Sequence, residues 1–153
     1  MPRLEYKYYL PVDYIDDFRR DILPFLNYDK YMLGLPKKEY TVRSIYMDSP
    51  CLITFCEKES GLVIRNKYRI RGYNFQSDDS IVFLEIKRKK VDYVSKNRAK
   101  LYYRDLNKFL ETKDFSLLHK CGNSDCAISD ARNFLFHFRQ PVPPPLAAHL
   151  HLT

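Results

Sequence analysis

Tryptophan is absent from this 153-residue chain, and glycine is scarce, with four. Thirteen tyrosines and ten phenylalanines supply the large side chains, enough to pack both sheet and helix faces. Long apolar runs are missing too: none approaches the ~20 residues of a membrane-spanning helix. The polar opening Met1-Pro2-Arg3-Leu4-Glu5 does not read as a signal peptide, so the expected compartment is the cytoplasm. The cysteines fall as Cys51/Cys56 and Cys121/Cys126, both C-x4-C, without the tight C-x2-C of a zinc knuckle. His119 precedes Cys121, but at no familiar ligand spacing, and neither pair has a better candidate. With no export signal a disulfide framework is not expected, so the cysteines read as structural or free thiols. His119, His137, His149 and His151 show no catalytic spacing.

What the chain has is positive charge. The formal net charge is +7 and the sequence pI about 9.2, a balance that favours anionic partners. The charge is patterned as well as abundant. In Asn66-Lys67-Tyr68-Arg69-Ile70-Arg71-Gly72-Tyr73 a strand places Lys67, Arg69 and Arg71 on one face, with Tyr68 and Ile70 on the other. The next strand, Ile81 to Arg88, sets Phe83, Glu85 and Lys87 against Val82, Leu84 and Ile86. A third, Val94 to Leu101, aligns Lys96, Arg98 and Lys100, with Val94 on the same face. Cations set side by side repel, so such a face must be wet or filled by a polyanion. A single basic strand reads as a solvated sheet face, and Glu85 with Lys87 as a simple ion-pair lattice. Three basic strands in succession point to an anion site.

In chain order, Leu4 to Leu10 alternates as a first strand, ended by Pro11. Asp13 is placed to cap a helix running to about Phe25, with Ile15, Phe18, Ile22 and Phe25 or Leu26 on its apolar stripe and Pro24 distorting or ending its last turn. A connection through Gly34 and Pro36 leads to a strand at Tyr40 to Asp48, whose parity leaves the face of Arg43 open. Pro50 suits the first turn of a short helix, Cys51 to about Glu59. Asn74 to Ser80 and Lys89 to Tyr93 are the hairpin connections between the basic strands. Helices are expected over Arg104 to Glu111 and Ser129 to Arg139, the second capped by Ser129 or Asp130 with Phe134, Leu135 and Phe138 inward. Thr112 to Asp125 carries little periodicity. From Pro141 onward a proline cluster changes the character of the chain, which divides it into a domain at 1–140 and a loosely attached tail at 141–153.

Five blocks carry a resemblance: Arg3-Leu4-Glu5-Tyr6-Lys7-Tyr8, Val42 to Ser49, Lys67 to Tyr73, Phe83 to Lys89 and Ser95 to Ala99. In order and spacing they resemble the VTC domain, the polyphosphate polymerase module related to the CYTH and triphosphate tunnel metalloenzymes. Asn133-Phe134-Leu135 and Arg139 are similar to the helix that follows in that family. The resemblance implies an α+β fold in which an antiparallel sheet forms part of an eight-stranded tunnel, flanked by helices, with basic residues turned inward onto a phosphate chain. It implies ATP and polyphosphate as ligands and a divalent metal, Mn or Mg. By the same analogy Lys7, Arg69, Arg71 and Lys87 grip phosphates, Lys96 and Arg98 extend the grip, and Glu5 and Glu85 orient these cations or help hold the metal. Arg3 stands where CYTH relatives carry a first glutamate, which weakens a metal role for that strand.

Only five strands are legible before the chain turns helical, so the tunnel is expected to be incomplete. The chain then reads as the first half of a tunnel domain, as a truncated product or a module completed by a partner chain, and inactive as an isolated monomer. In a completed domain Arg69→Ala or Arg71→Ala is expected to abolish synthesis with little loss of fold. The alternatives are a non-catalytic polyphosphate or nucleotide binder and a single-stranded nucleic-acid platform. The second is disfavoured because the aromatics of the central strand are expected on the face opposite the cations.

Overall fold

The computed structural model describes residues 3–4, 6–29, 32–33, 35–36, 39–74 and 77–137. They belong to two units, Met1–Leu4 with Thr41–Thr153, and Glu5–Tyr40. The expected tail at 141–153, Gly34, Phe138 and Arg139 lie outside the described residues.

The first unit is an antiparallel sheet with helices packed on it. Its strands are β1 (Arg3–Leu4), β2 (Val42–Met47), β3 (Ile64–Tyr73), β4 (Ile81–Lys90) and β5 (Tyr93–Tyr102), in the order β1-β5-β4-β3-β2. Four of them form the body of the sheet, and β1 adds one short pairing at its edge. Among the described residues the sheet is open, bounded by β1 and β2, and does not close into a barrel.

Period-2 alternation decides what each face does. Tyr68 and Ile70 from β3, Val82, Leu84 and Ile86 from β4, and Ala99 and Leu101 from β5 all turn to the same side and are buried. The helices that cover them are α3 (Leu106–Thr112), α4 (Ser116–Lys120) and α5 (Asp125–Phe136). Leu106, Phe109, Leu117, Leu118, Ile128, Ala131, Phe134 and Leu135 complete that core. The core's helical half comes from sequence that follows the sheet, so the opposite, charged face is left without these helices.

Local chemistry sets the ends of these elements. Ser124 caps α5, its Oγ accepting from the Ala127 N–H at 3.3 Å. Asn123 braces the start of α5 on the sheet: its amide donates to the Lys100 carbonyl and its oxygen accepts from the Lys100 N–H, both at 2.8 Å. The short helix α2 (Ile53–Glu59) hangs on Asp48, whose carboxylate accepts from the backbone N–H of Ser49, Thr54 and Phe55. Asn74, at φ +56°, closes β2 against β3 by exchanging two hydrogen bonds with the Thr41 backbone.

Several expectations are corrected here. The first strand does not run from Leu4 to Leu10: among the described residues it holds Arg3–Leu4, and residues 6–10 carry no strand, because Leu4 already pairs with Tyr93, the residue at which β5 begins. Past that point β5 has no further residue to pair. Helix α5 starts at Asp125, so Ser129 and Asp130 are interior residues and not caps; Asp130 instead accepts from the Asn97 amide at 2.8 Å. Thr112 to Asp125 holds α4, five residues long and too short to show a period. Pro50 lies in the turn ahead of α2 and not in its first turn.

In the Glu5–Tyr40 unit a 3-10 turn at Val12–Tyr14 leads into α1 (Ile15–Ile22). Asp13 lies within the turn and caps nothing, and the helix ends at Ile22 with Leu23 as its C-cap, just ahead of Pro24. None of its residues is buried; Phe18 and Phe25, expected on the inner stripe, are exposed. Its i,i+3 charged pairs, such as Arg20 with Asp17 at 2.7 Å, are exposed contacts of small energetic weight.

Candidate functional site

The register of β2 to β5 turns the sequence parity into a two-dimensional array. Residues directly opposite one another share a face. One row runs Ser44–Arg71–Phe83–Lys100 and the next Tyr46–Arg69–Glu85–Arg98. A third sets Lys67, Lys87 and Lys96 side by side across β3, β4 and β5. Arg65 and Lys89 are paired one row further on. The cations expected from the three strands therefore occupy one face, and Glu85 is the single carboxylate that β3, β4 and β5 contribute to it.

Glu85 is fully buried, although it lies on the charged face. Arg69 donates from Nε to Glu85 Oε2 at 2.7 Å, and Lys96 Nζ lies 2.7 Å from Oε1. The Lys96 contact is an ion pair without hydrogen-bond alignment. Arg71 Nε stands 3.8 Å from Oε2. Burial by itself would push this carboxyl up; the contacts with Lys96 and Arg69 outweigh it and hold the group below its ordinary range. For Arg69, burial works against the charge, and the bonds to Glu85 and Tyr46 more than restore it.

The edge strand β2 adds two hydroxyls. Arg69 Nη1 donates to Tyr46 Oη and Arg71 Nε to Ser44 Oγ, each at 3.3 Å. These partners escaped sequence reasoning because the parity of β2 was ambiguous. The pairing of Tyr46 with Arg69 fixes it, and puts Arg43, opposite Gly72, on the other face. Aromatic rings support the cations as well. The Arg98 guanidinium lies 4.8 Å from the centroid of Phe83, and Lys67 and Arg69 stand about 6 Å from that of Tyr46. Tyr68 is buried on the opposite face, as its parity requires, but Tyr73 shares the face of Arg71 and meets Phe83 edge to face at 6.0 Å. The expectation that the aromatics of β3 all oppose the cations is corrected on Tyr73.

Lys67 shows what this crowding does. Its ammonium titrates below the ordinary lysine value, first because of burial and then through repulsion from Lys58, Arg65 and Lys87, with Tyr46 opposing. An anion placed beside it would relieve both effects.

The structure brings Arg69, Arg71, Lys87, Lys96 and Arg98 together with Glu85 on one sheet face. Lys7 belongs to the other unit, on an exposed segment outside any strand, and Glu5 lies outside the described residues. As a metal ligand Glu85 does not fit: three cations surround its carboxylate, the arrangement of a counter-ion. No cluster of three His, Cys, Asp or Glu side chains suited to an ion occurs among the described residues, and no described helix is long and apolar enough to cross a membrane.

The sequence model of the VTC domain matches residues 2–140, which include every strand and helix described above. The chain belongs to the VTC domain family. No curated protein matches the sequence. The basic face is thus built within the VTC domain itself, from β3, β4 and β5, with β2 supplying the supporting hydroxyls.

Proposed function

We propose that this VTC domain holds a chain of phosphates, as ATP or polyphosphate, on the basic face of its sheet and supports phosphoryl transfer that lengthens polyphosphate. The observation that carries the reading is the array itself. Cations from three adjacent strands converge on one face around a single buried carboxylate, so their charge far exceeds the counter-charge built beside them. Phosphoryl transfer asks a protein mainly to position phosphates and to stabilise charge, which is what such an array supplies.

Arg69 and Arg71 present guanidinium groups braced by Glu85, Tyr46 and Ser44, and a planar fork suits phosphate oxygens. Lys87, Lys96 and Arg98 extend the grip across β4 and β5. Lys7 is assigned the same role on the family likeness. Glu85 acts as the counter-ion that fixes Arg69 and Lys96. Glu5 is then the remaining candidate ligand for the expected Mn or Mg ion.

In this reading the sheet is one wall of a triphosphate tunnel, with the outer edge of β2 available to further strands, including those of a partner chain. Closure would matter greatly. Two unit charges 4 Å apart attract by about 1 kcal/mol in bulk water and about 4 kcal/mol at an effective dielectric of 20. An open face binds, and an enclosed one holds substrates firmly enough to react them.

The presence of Tyr46, Tyr73 and Phe83 on the basic side favours a second reading, a single-strand nucleic-acid platform. Against it, Phe83 and Tyr46 already carry cations over their rings. Filter binding of labelled polyphosphate against a single-stranded oligonucleotide across a salt series separates the two. Preference for polyphosphate at every salt concentration supports the phosphate-chain reading, and equal or better oligonucleotide binding removes it. Turnover of ATP with Mn or Mg present distinguishes a polymerase from a passive binder.

A further inference from the structure

Beside the basic face is a cavity of about 280 Å³, formed where the end of β2 and the middle of β3 meet α2. Its lining includes Tyr46, Asp48, Thr54, Phe55, Lys58 and Lys67. Lys67 is also the next face-sharing residue along β3 after Arg71 and Arg69, so it joins the cavity to the cationic face, while Met47 and Tyr68, from the opposite face of the sheet, complete the lining.

The lining carries two cations and one carboxylate. Asp48 is its one carboxylate, and both of its oxygens are engaged by the backbone N–H groups of Ser49, Thr54 and Phe55. Lys58 pairs with Glu59 at 2.7 Å, but both groups are half exposed, where such a pair contributes little and is readily exchanged. Lys58 and Lys67 therefore both line one partly open cavity, together with Thr54. Against these two cations the lining sets one carboxylate, Asp48, already held by three backbone N–H groups.

We infer that this cavity is a further anion subsite, which takes the far end of a phosphate chain whose nearer units lie at Arg69 and Arg71. The inference rests on the reading of the basic face as a phosphate site and adds a direction to it: the chain runs along β3 from Arg71 towards Lys67 and ends at α2. Chain length then matters. A ligand long enough to reach Lys58 gains a contact that a short one lacks.

The test is isothermal titration of the full chain and its Lys58→Met variant with inorganic pyrophosphate, long-chain polyphosphate and ATP. Lys58 is exposed on α2 and outside the core, so its replacement leaves the sheet intact. The variant is expected to bind long-chain polyphosphate about fivefold more weakly, the value of one exposed charge contact, with pyrophosphate affinity unchanged. Equal losses for both phosphates, or no loss for either, would overturn the subsite. A loss confined to ATP would show that the cavity receives the nucleobase and would overturn it too. If the unmodified chain binds neither phosphate, the reading of the basic face falls first, and this inference falls with it.

Discussion

Arg69 and Glu85 face each other across the β3–β4 pair, joined by a 2.7 Å hydrogen bond, with side chains 10% and 0% exposed. This contact holds the charged face in place, because Lys96 and Arg71 converge on the same carboxylate. A buried pair of this kind adds little net stability over an apolar substitute, yet breaking it from one side is costly. Glu85→Ala is expected to lower the unfolding free energy by about 3–5 kcal/mol, since it strands a buried guanidinium and its neighbours. Urea denaturation measures this directly, and a loss below about 1 kcal/mol would show that Glu85 does not hold the cations.

The same carboxylate sets an acid limit. Burial raises its pKa, but Lys96 and Arg69 lower it further, so the folded value lies below the roughly 4.3 of an unfolded glutamate. Between those two values the unfolded chain binds the extra proton, so stability rises with pH there. The contribution is complete above about pH 5 and is lost as pH falls through the folded value. Denaturation midpoints followed from pH 5 downward should therefore fall more steeply for the natural chain than for Glu85→Gln. Parallel curves would remove Glu85 as the source.

The two arginines separate in their effect on the fold. By strand parity alone Arg69→Ala and Arg71→Ala are equivalent, each sparing the structure. Arg69, however, is the partner buried against Glu85, while Arg71 is 21% exposed and stands 3.8 Å away. Arg69→Ala should cost about 3–5 kcal/mol by leaving Glu85 short of its main donor. Arg71→Ala should stay within about 1 kcal/mol of the natural chain. Thermal melts of the two variants decide the matter, and equal melting temperatures would contradict it.

The cap of α5 gives a control away from the charged face. Ser124→Ala removes the side-chain acceptor for the Ala127 N–H and should cost about 1 kcal/mol, most of it recovered by Asp at the same position. Phosphate binding should be unchanged in both.

Much of this architecture was legible beforehand, for physical reasons that differ by element. In β3, β4 and β5 the alternation of Lys and Arg with Tyr, Ile, Val and Leu fixes which side each residue takes, and the buried and charged faces follow it. Strand β2 mixes polar and apolar residues on both sides, so only its pairing with β3 reveals that Tyr46 and Ser44 brace the arginines. Leu4 to Leu10 has a strand's alternation, but a strand exists only where a neighbour accepts its backbone, and β5 starts at Tyr93. Glu85 was legible as a residue on the basic face. Its burial and its three cationic neighbours depend on the β3–β4 and β4–β5 registers, which no single segment contains.

The central claim, that the face built by β3, β4 and β5 holds a phosphate chain, is tested most directly by titrating tripolyphosphate into the natural chain and into Arg71→Ala. Binding is expected to weaken with added salt and to be at least about tenfold weaker in Arg71→Ala, the loss of one charge-assisted contact, with the melting temperature preserved. Equal affinity in the two proteins, or no binding by the natural chain, would contradict it.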